Sequence, residues 1–442
     1  MKILVTTPPM HPVIEGDTMK IVPPLAIYVI AGIIRKGGYE VSVCDPQTIV
    51  DMYNDGWDKD EIEKMIYDVD VVTISSNSFN WGMAKELIEV IKQGTNPPIV
   101  ICGGIHPTFF DEYVCRVTEV DYVIRGDAED VLLKLLDAIE KGYSVNHIPR
   151  LTYNSNGKTF RNLNEIKSNR LYDFAKPAYD LIPDNIYYNI PVETSRGCPF
   201  QCSFCSILDA RNWRGMKAEK CIDVIGEVLP YIGDKTLANS MFIIDNCFTP
   251  NPKRAIRILD FIKEIDQKFT FHFEARCKDF LNSKELAERI SPEKISTIQM
   301  GVECGYDEGL KKVNKAMNIN EVMESLKILQ AHDLSKKTFL SFMIGLPWEK
   351  KEDCIKTIEF AELLEDEFNA SVSVNWWMPI KSTLWDRQKD FGFHIDESVY
   401  DDALWSISED IIKSAYKSLS FKDIDDICKT YNGRVSNLLE TV

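Results

Sequence analysis

The stretch that most constrains this chain is Pro191-Val192-Glu193-Thr194-Ser195-Arg196-Gly197-Cys198-Pro199-Phe200-Gln201-Cys202-Ser203-Phe204-Cys205. A short β-like run ends at a glycine, and three cysteines follow at C-x3-C-x2-C spacing in a loop that carries Gly197 and Pro199. Thiolates this close in sequence can converge on one inorganic centre. Iron–sulfur cubes usually take four cysteines, so three leave one iron of a [4Fe–4S] cluster without a protein ligand and open to chemistry. A zinc knuckle and three unrelated buried thiols are the competing readings. Zinc takes four N or S ligands, commonly in paired cysteine units. Here the next cysteine is Cys221, and no histidine lies between His147 and His272. The spacing therefore favours the cluster.

A chain of 442 residues is too long for one ordinary core, so two or three domains are expected. With 45% apolar and 27% charged residues it reads as globular. Its 51 basic and 68 acidic residues give a net charge of −17, which argues against a surface built to grip nucleic-acid phosphates. No nucleic-acid partner is expected. Twelve cysteines without a short disulfide-scaffold pattern point to a reducing compartment. The first residues, Lys2-Ile3-Leu4-Val5-Thr6, read as a strand and not as a signal peptide. No apolar run reaches the ~18 residues of a membrane helix. A cytoplasmic protein with no membrane span is the expectation.

Strand-like and helix-like segments alternate through the N-terminal third. Strands are predicted at Lys2–Thr6, Glu40–Cys44, Val69–Ser75, Pro98–Cys102 and Asp121–Ile124. The first helix is opened by Pro23-Pro24, is apolar nearly all round, and stops at Gly37-Gly38. Others are predicted near 59–67, 82–93, 108–116 and 128–141. This alternation is a doubly wound α/β domain, in which ligands sit at the carboxyl ends of the strands. Those ends are Ser75-Ser76-Asn77-Ser78, Gly103-Gly104-Ile105-His106-Pro107 and Arg125-Gly126-Asp127-Ala128-Glu129. Glycines there let a bulky ligand approach the backbone. A connector follows, with a hairpin expected at Arg150–Tyr153 and Thr159–Asn162.

From residue 191 the alternation resumes, with strands predicted at 191–195, 240–245, 270–274, 296–301, 338–343 and 371–376. Helices fall between them, near 217–231, 251–266, 283–290, 319–331 and 350–367. Polar or turn-forming residues stand at the strand ends, where barrel enzymes gather their chemistry: Asp245-Asn246, Glu274-Ala275-Arg276, Gly301-Val302-Glu303, Gly345-Leu346-Pro347 and Asn375-Trp376. Any one could be a cap or turn; five in register after a cysteine motif form a pattern. Residues 386–442 read as helical, over 397–417 and 421–439, with Trp405 and Tyr416 on apolar faces.

Cys198, Cys202 and Cys205, with Phe204 before the third, resemble the signature of the radical S-adenosylmethionine (radical SAM) enzymes. The N-terminal third resembles the cobalamin-binding domain of their B12-dependent members. The matching pieces are Pro8-Pro9, Pro23-Pro24-Leu25-Ala26, Gly38-Tyr39-Glu40-Val41 with Asp45, the loop Ser75–Ser78, Gly103-Gly104-x-His106-Pro107-Thr108 and Gly126-x-x-Glu129. Asp127 stands where that family usually has Glu, and none of the six histidines lies in a D-x-H-x-x-G motif. His106 therefore reads as a loop-structuring residue and not an axial cobalt ligand.

The resemblance covers 1–385 and implies a Rossmann-like cobalamin-binding domain over 1–142 and a linker over 143–190. A partial (β/α)6 TIM-type barrel over 191–385 and a small helical C-terminal region over 386–442 would follow. It implies a [4Fe–4S] cluster on Cys198, Cys202 and Cys205, and S-adenosyl-L-methionine (SAM) against Phe204, Asp245, Glu274, Arg276 and Glu303. Cobalamin would lie near Ser75, Ser76, Asn77, Gly103, Gly104, His106, Gly126 and Glu129. The implied activity is C-methylation of an unactivated carbon through a 5′-deoxyadenosyl radical and methylcobalamin. Oxidative cyclisation or rearrangement with the same cofactors is the alternative, and no residue decides between them. A non-catalytic cobalamin-binding sensor is a third reading. The partners implied are a flavodoxin- or ferredoxin-like one-electron reductant and a small-molecule or peptide substrate.

Overall fold

The computed structural model describes residues 1–9, 21–53, 56–163, 175–208, 212–402 and 414–435. The chain divides into two units, the first made of Met1–Tyr188, Asp234–Leu237 and a return segment that starts at Asp396. In this unit the parallel strands β1 (Lys2–Thr6), β2 (Glu40–Cys44), β3 (Val71–Ser75), β4 (Ile99–Gly103) and β5 (Tyr122–Ile124) run in the order β2-β1-β3-β4-β5. Ile3, Val5, Val71, Val72 and Val100 are almost fully buried, as the strands of a sheet covered on both faces must be. Ile27, Tyr28 and Ile34 of the helix Leu25–Lys36 lie in the same core. The strand order reverses between β1 and β3, which is where doubly wound sheets open a crevice for a ligand.

The expected hairpin forms β6 (Leu151–Ser155) and β7 (Lys158–Arg161), and β6 pairs antiparallel with β5, so the sheet gains two strands. Asn156 and Gly157 both have positive φ, 50° and 72°, the conformation a tight two-residue hairpin turn demands. The helix predicted near 108–116 is instead two short helices, Ile105–Phe109 and Asp111–Val117, because Phe110 between them leaves helical geometry at φ −124°.

In the second sheet, β8 (Tyr187–Val192) is followed by a two-residue antiparallel pair, β9 (Ser195–Arg196) with β10 (Arg214–Gly215). Then come β11 (Thr236–Ile243), β12 (Thr270–Ala275), β13 (Ile295–Glu303), β14 (Thr338–Ile344) and β15 (Ser371–Trp376). The six long strands stand in sequential order, β8-β11-β12-β13-β14-β15, with β11 to β15 parallel. Helices Pro252–Glu264, Ile319–Gln330 and Lys351–Phe368 supply the crossovers of this open, partial barrel. Local signals start them: Asn251 caps the first with Pro252 at its opening position, and Asn318 with Glu321 forms a capping box on the second. β8 ends at Val192, short of the predicted 195, because the next backbone donors turn to a side chain described below.

The helix predicted over 397–417 starts as a single 3-10 turn, Glu397–Tyr400, capped by Asp396; residues 403–413, Trp405 among them, lie outside the described residues. The last helix, Phe421–Thr430, begins where expected behind a Ser420–Asp423 capping box but ends short of the predicted 439, because residues 431–435 are turn and bridge; 436–439 lie outside the described residues. Among the described residues no helix is long and apolar enough to cross a membrane.

Candidate functional site

The three cysteines sit in a loop whose backbone is held from both sides. Ser203 N donates to Val313 O at 3.0 Å, Asn314 Nδ2 to Gln201 O at 2.7 Å, and Leu384 N to Ser203 O at 2.8 Å. The thiols are half-buried, and Cys198 and Cys205 each feel the charge of a neighbouring cysteine of the motif. Burial pushes Cys205 up to about 11, against which the Ile207 N–H works; burial also raises Cys198, opposed by the Phe200 N–H and by the cations Arg276 and Lys315. Among the described residues no three His, Cys, Asp or Glu side chains form a group that could hold a single metal ion. A cubane is a different demand, since it takes each thiolate on a separate iron. Three neighbouring thiols, amides aimed at two of them and two nearby cations suit such a negatively charged cluster. Cys247 and Cys304 are fully buried.

Asp245, one of the expected SAM contacts, does something else. It is fully buried, and its two oxygens accept from Thr194 N (2.6 Å), Thr194 Oγ1 (2.5 Å), Ser195 N (2.9 Å) and Ser195 Oγ (2.6 Å). A carboxylate offers about four acceptor sites, so none is left for a ligand. Arg254 stands 3.8 Å away and itself donates to Thr194 O, Thr194 Oγ1 and Met216 O. Asp245 is therefore the anchor of the segment that leads into the cysteine loop, and its pull on the 194–195 backbone is what ends β8.

Glu274, Arg276 and Glu303 are brought together, around a residue that the sequence reading missed. Lys315 is buried, its Nζ donates to Glu303 Oε1 at 2.8 Å, and it lies 5.9 Å from the ring centroid of Phe204. Burial works against the ammonium charge, but Glu303 and then Cys202 outweigh it, and the pKa ends above its ordinary value. Arg276 donates to the Lys315 carbonyl and stacks on Phe200 with its guanidinium carbon 3.6 Å from the ring centroid. Burial pushes the Glu274 carboxyl up to about 7, with Lys315 opposing and Asp245 and Glu303 adding to the rise. Glu303 sits at φ 81° behind a register shift in β13, and a Cβ on Gly301 would collide with its carboxylate. Lys315 lies in the tight turn Asn314-Lys315-Ala316, whose flanking residues have φ of 55° and 57°. Only that turn-forming Asn marks the position in the sequence.

In the first unit, the loops after β1, β3, β4 and β5 form one hydrogen-bonded rim. Ser76 N donates to Gly103 O at 2.9 Å, His106 N to Ser76 O at 3.2 Å, and Gly126 N to Thr108 Oγ1 at 2.8 Å. Asn77 accepts from Phe79 N, and Asn80 Nδ2 reaches back to Pro8 O at 2.8 Å. Gly104 has φ 96°, and a Cβ there would collide with Ser76 O. Ser75 closes β3 beside this rim, and Glu129 is half-buried further along the Gly126 loop. His106 is fully buried, with Nδ1 3.2 Å from Ser78 Oγ and its ring stacked on Trp81 at 4.6 Å. Phe110 and Tyr400 close the other sides, and burial drives the imidazole down to about 3. The ring is a neutral packing element of the rim.

Two family models match this chain: the B12 binding domain over residues 16–136 and the radical SAM superfamily over 192–361. An uncharacterized methyltransferase of Pyrococcus horikoshii is 28% identical over 83% of this chain and 79% of its own length. The anaerobic magnesium-protoporphyrin IX monomethyl ester cyclase of Cereibacter sphaeroides is 24% identical over 84% of this chain, which spans 62% of the cyclase. Among solved structures, the cobalamin-dependent SAM radical enzyme OxsB has a TM-score of 0.67 at 19% identity, over 95% of this chain and 58% of its own. The radical SAM methyltransferase TsrM of Kitasatospora setae has a TM-score of 0.67 at 16% identity, over 88% and 74%. These two structures share the fold. The two matched domains define an enzyme of radical chemistry. The chain carries both a radical SAM domain and a B12-binding domain, and the cofactors that go with them are a [4Fe–4S] cluster, SAM and cobalamin.

Proposed function

We propose that the chain is a C-methyltransferase acting on an unactivated carbon of a small molecule or peptide. The observation that carries the radical half of this reading is the set of three half-buried thiols in one loop beside the buried cations Lys315 and Arg276. Methyl transfer as the outcome is supported by the likeness to the Pyrococcus methyltransferase over 83% of this chain. When bound, the reduced cluster with SAM supplies a 5′-deoxyadenosyl radical, and cobalamin supplies the methyl group.

The residues divide the work of holding and orienting. Cys198, Cys202 and Cys205 would hold the cluster. Lys315 and Arg276 suit the SAM carboxylate, Glu274 and Glu303 its ammonium or ribose hydroxyls, and Phe204 its adenine. Asp245 keeps the loop in place. The rim of Ser75, Ser76, Asn77, Gly103, Gly104, Gly126 and Glu129 would receive cobalamin, with glycine backbone giving it close approach. A flavodoxin- or ferredoxin-like protein would deliver the electron. The likeness to the Cereibacter cyclase supports oxidative cyclisation as the second reading.

The test is anaerobic reconstitution of the full chain with iron, sulfide and hydroxocobalamin, followed by SAM-cleavage and product-mass measurements. Retained corrin, deoxyadenosine release and a product heavier by one methylene are expected. A product lighter by hydrogens selects cyclisation. Retained corrin without any deoxyadenosine removes both readings and leaves a sensor. Replacing Cys198, Cys202 or Cys205 by Ala is expected to abolish cluster and cleavage together.

A further inference from the structure

The return segment that starts at Asp396 belongs to the first unit, although Ile395 directly before it counts with the second. Ordering such a segment costs conformational entropy, so specific contacts must hold it. Asp396 caps the turn Glu397–Tyr400, and Tyr400 is fully buried. Asp401 accepts from Trp81 Nε1 at 3.0 Å, Lys85 Nζ at 3.1 Å and Tyr113 OH at 2.6 Å. Both Tyr400 and Asp401 lie outside 16–136, the stretch that the B12-binding model matches.

What the segment reaches is the centre of the strand-end rim. In the short helix Ile105–Phe109, His106 N donates to Ser76 O at 3.2 Å, and Thr108 Oγ1 accepts from Gly126 N at 2.8 Å and donates to Gly104 O at 2.6 Å. That helix therefore ties the loop after β3 to the loop after β5. Its own place depends on the His106 ring, which is held mainly by packing. Nδ1 has Ser78 Oγ at 3.2 Å, and Nε2 has no hydrogen-bond partner among the described residues. Three rings surround the imidazole: Trp81 stacked at 4.6 Å, Phe110 at 4.9 Å and Tyr400 edge-on at 5.5 Å. Two of these three walls depend on the return segment, Tyr400 directly and Trp81 through Asp401. A close-packed interior transmits the loss of a wall to the groups it held.

We propose that Tyr400 and Asp401 are positioning residues for cobalamin. They fix the His106 ring, and through it the spacing of the Ser76 and Gly126 loops, so the affinity of the rim for the corrin is set from a segment far along the chain. Tyr400 is too deeply buried to meet the cofactor itself. This rests on the cobalamin reading above and adds to it a determinant beyond the matched domain.

The test is equilibrium dialysis of the full chain against hydroxocobalamin, read by corrin absorbance, with the Tm of each variant measured alongside. Tyr400→Ala and Asp401→Ala are each expected to raise Kd at least about tenfold. Tyr400→Phe keeps the ring and is expected to stay within about twofold. Lys92→Met supplies the comparison: Lys92 Nζ donates to Pro98 O at 3.0 Å and pairs with Asp121, at the end of the sheet opposite the rim. It is expected to lower the Tm and leave Kd within about twofold, which separates positioning from general loss of stability. A rise below tenfold in either alanine variant, no rescue by Tyr400→Phe, or an equal rise in Lys92→Met overturns the proposal. Should Tyr400→Ala not fold, Asp401→Ala, at a partly exposed carboxylate, decides alone. The unsubstituted chain keeps the two readings apart. If it binds no corrin, the cobalamin reading falls; if it and the alanine variants bind equally well, this inference alone falls.

Discussion

The indole Nε1 of Trp81 donates to the Asp401 carboxylate at 3.0 Å across 320 residues of sequence. Lys85 Nζ and Tyr113 OH reach the same carboxylate at 3.1 Å and 2.6 Å, and Tyr400 beside it closes the His106 cage. The B12-binding unit is thus completed by a segment from beyond the barrel strands. Asp401→Ala leaves three donors without their acceptor and is expected to cost about 1–3 kcal/mol. Hydrogen exchange along Trp81–Lys92 should speed up in this variant, and unchanged exchange with an unchanged Tm would mean the contact is inert.

Lys315 and Glu303 are both nearly buried, so removing one strands the other. Lys315→Met is expected to lose on the order of 3–5 kcal/mol. Lys315→Met with Glu303→Met should recover most of that stability and none of the SAM cleavage. Denaturant unfolding of the two single variants and the double variant measures the coupling. Additive effects would show that the pair contributes nothing as a pair.

Asp245→Asn exchanges one acceptor oxygen for a donor that faces donors on Thr194 and Ser195. Each group left unsatisfied costs about 1–3 kcal/mol. Since those bonds fix the approach to the cysteine loop, the iron bound per chain after reconstitution should fall with the Tm. Full iron loading would separate Asp245 from the cluster loop.

Glu349 is fully buried and accepts from Leu346 N and Tyr306 OH, each at 3.0 Å. Burial lifts its carboxyl to about 7, above the ordinary 4.5. A group raised on folding contributes stability that is full below the ordinary value and is lost as pH rises through the folded one. The chain without cofactors should therefore lose stability between pH 4.5 and about 7, by an amount on the order of 3 kcal/mol from this residue. Glu349→Gln should flatten the fall only in part, because Glu274 titrates in the same window. Melting curves at several pH values decide; an equally steep fall in the variant would rule Glu349 out as a source.

Whatever is written in local spacing is legible along the chain. Three cysteines within eight residues, the strand–helix alternation, the Asn-Gly hairpin turn and the polar residues at strand ends all depend on neighbours along the chain. The family and both domain folds were legible from them. Tertiary structure alone decided which of those polar residues remain free. Asp245 and Glu303 look alike as strand-end acids, yet one is saturated by Thr194 and Ser195 and the other is held by a lysine from a distant turn. Lys315 has no periodicity to betray it, and nothing near Asp401 in sequence points to Trp81. Such placements depend on long-range packing, where a buried charge must find its partner wherever the fold brings one, and spacing along the chain carries no record of that.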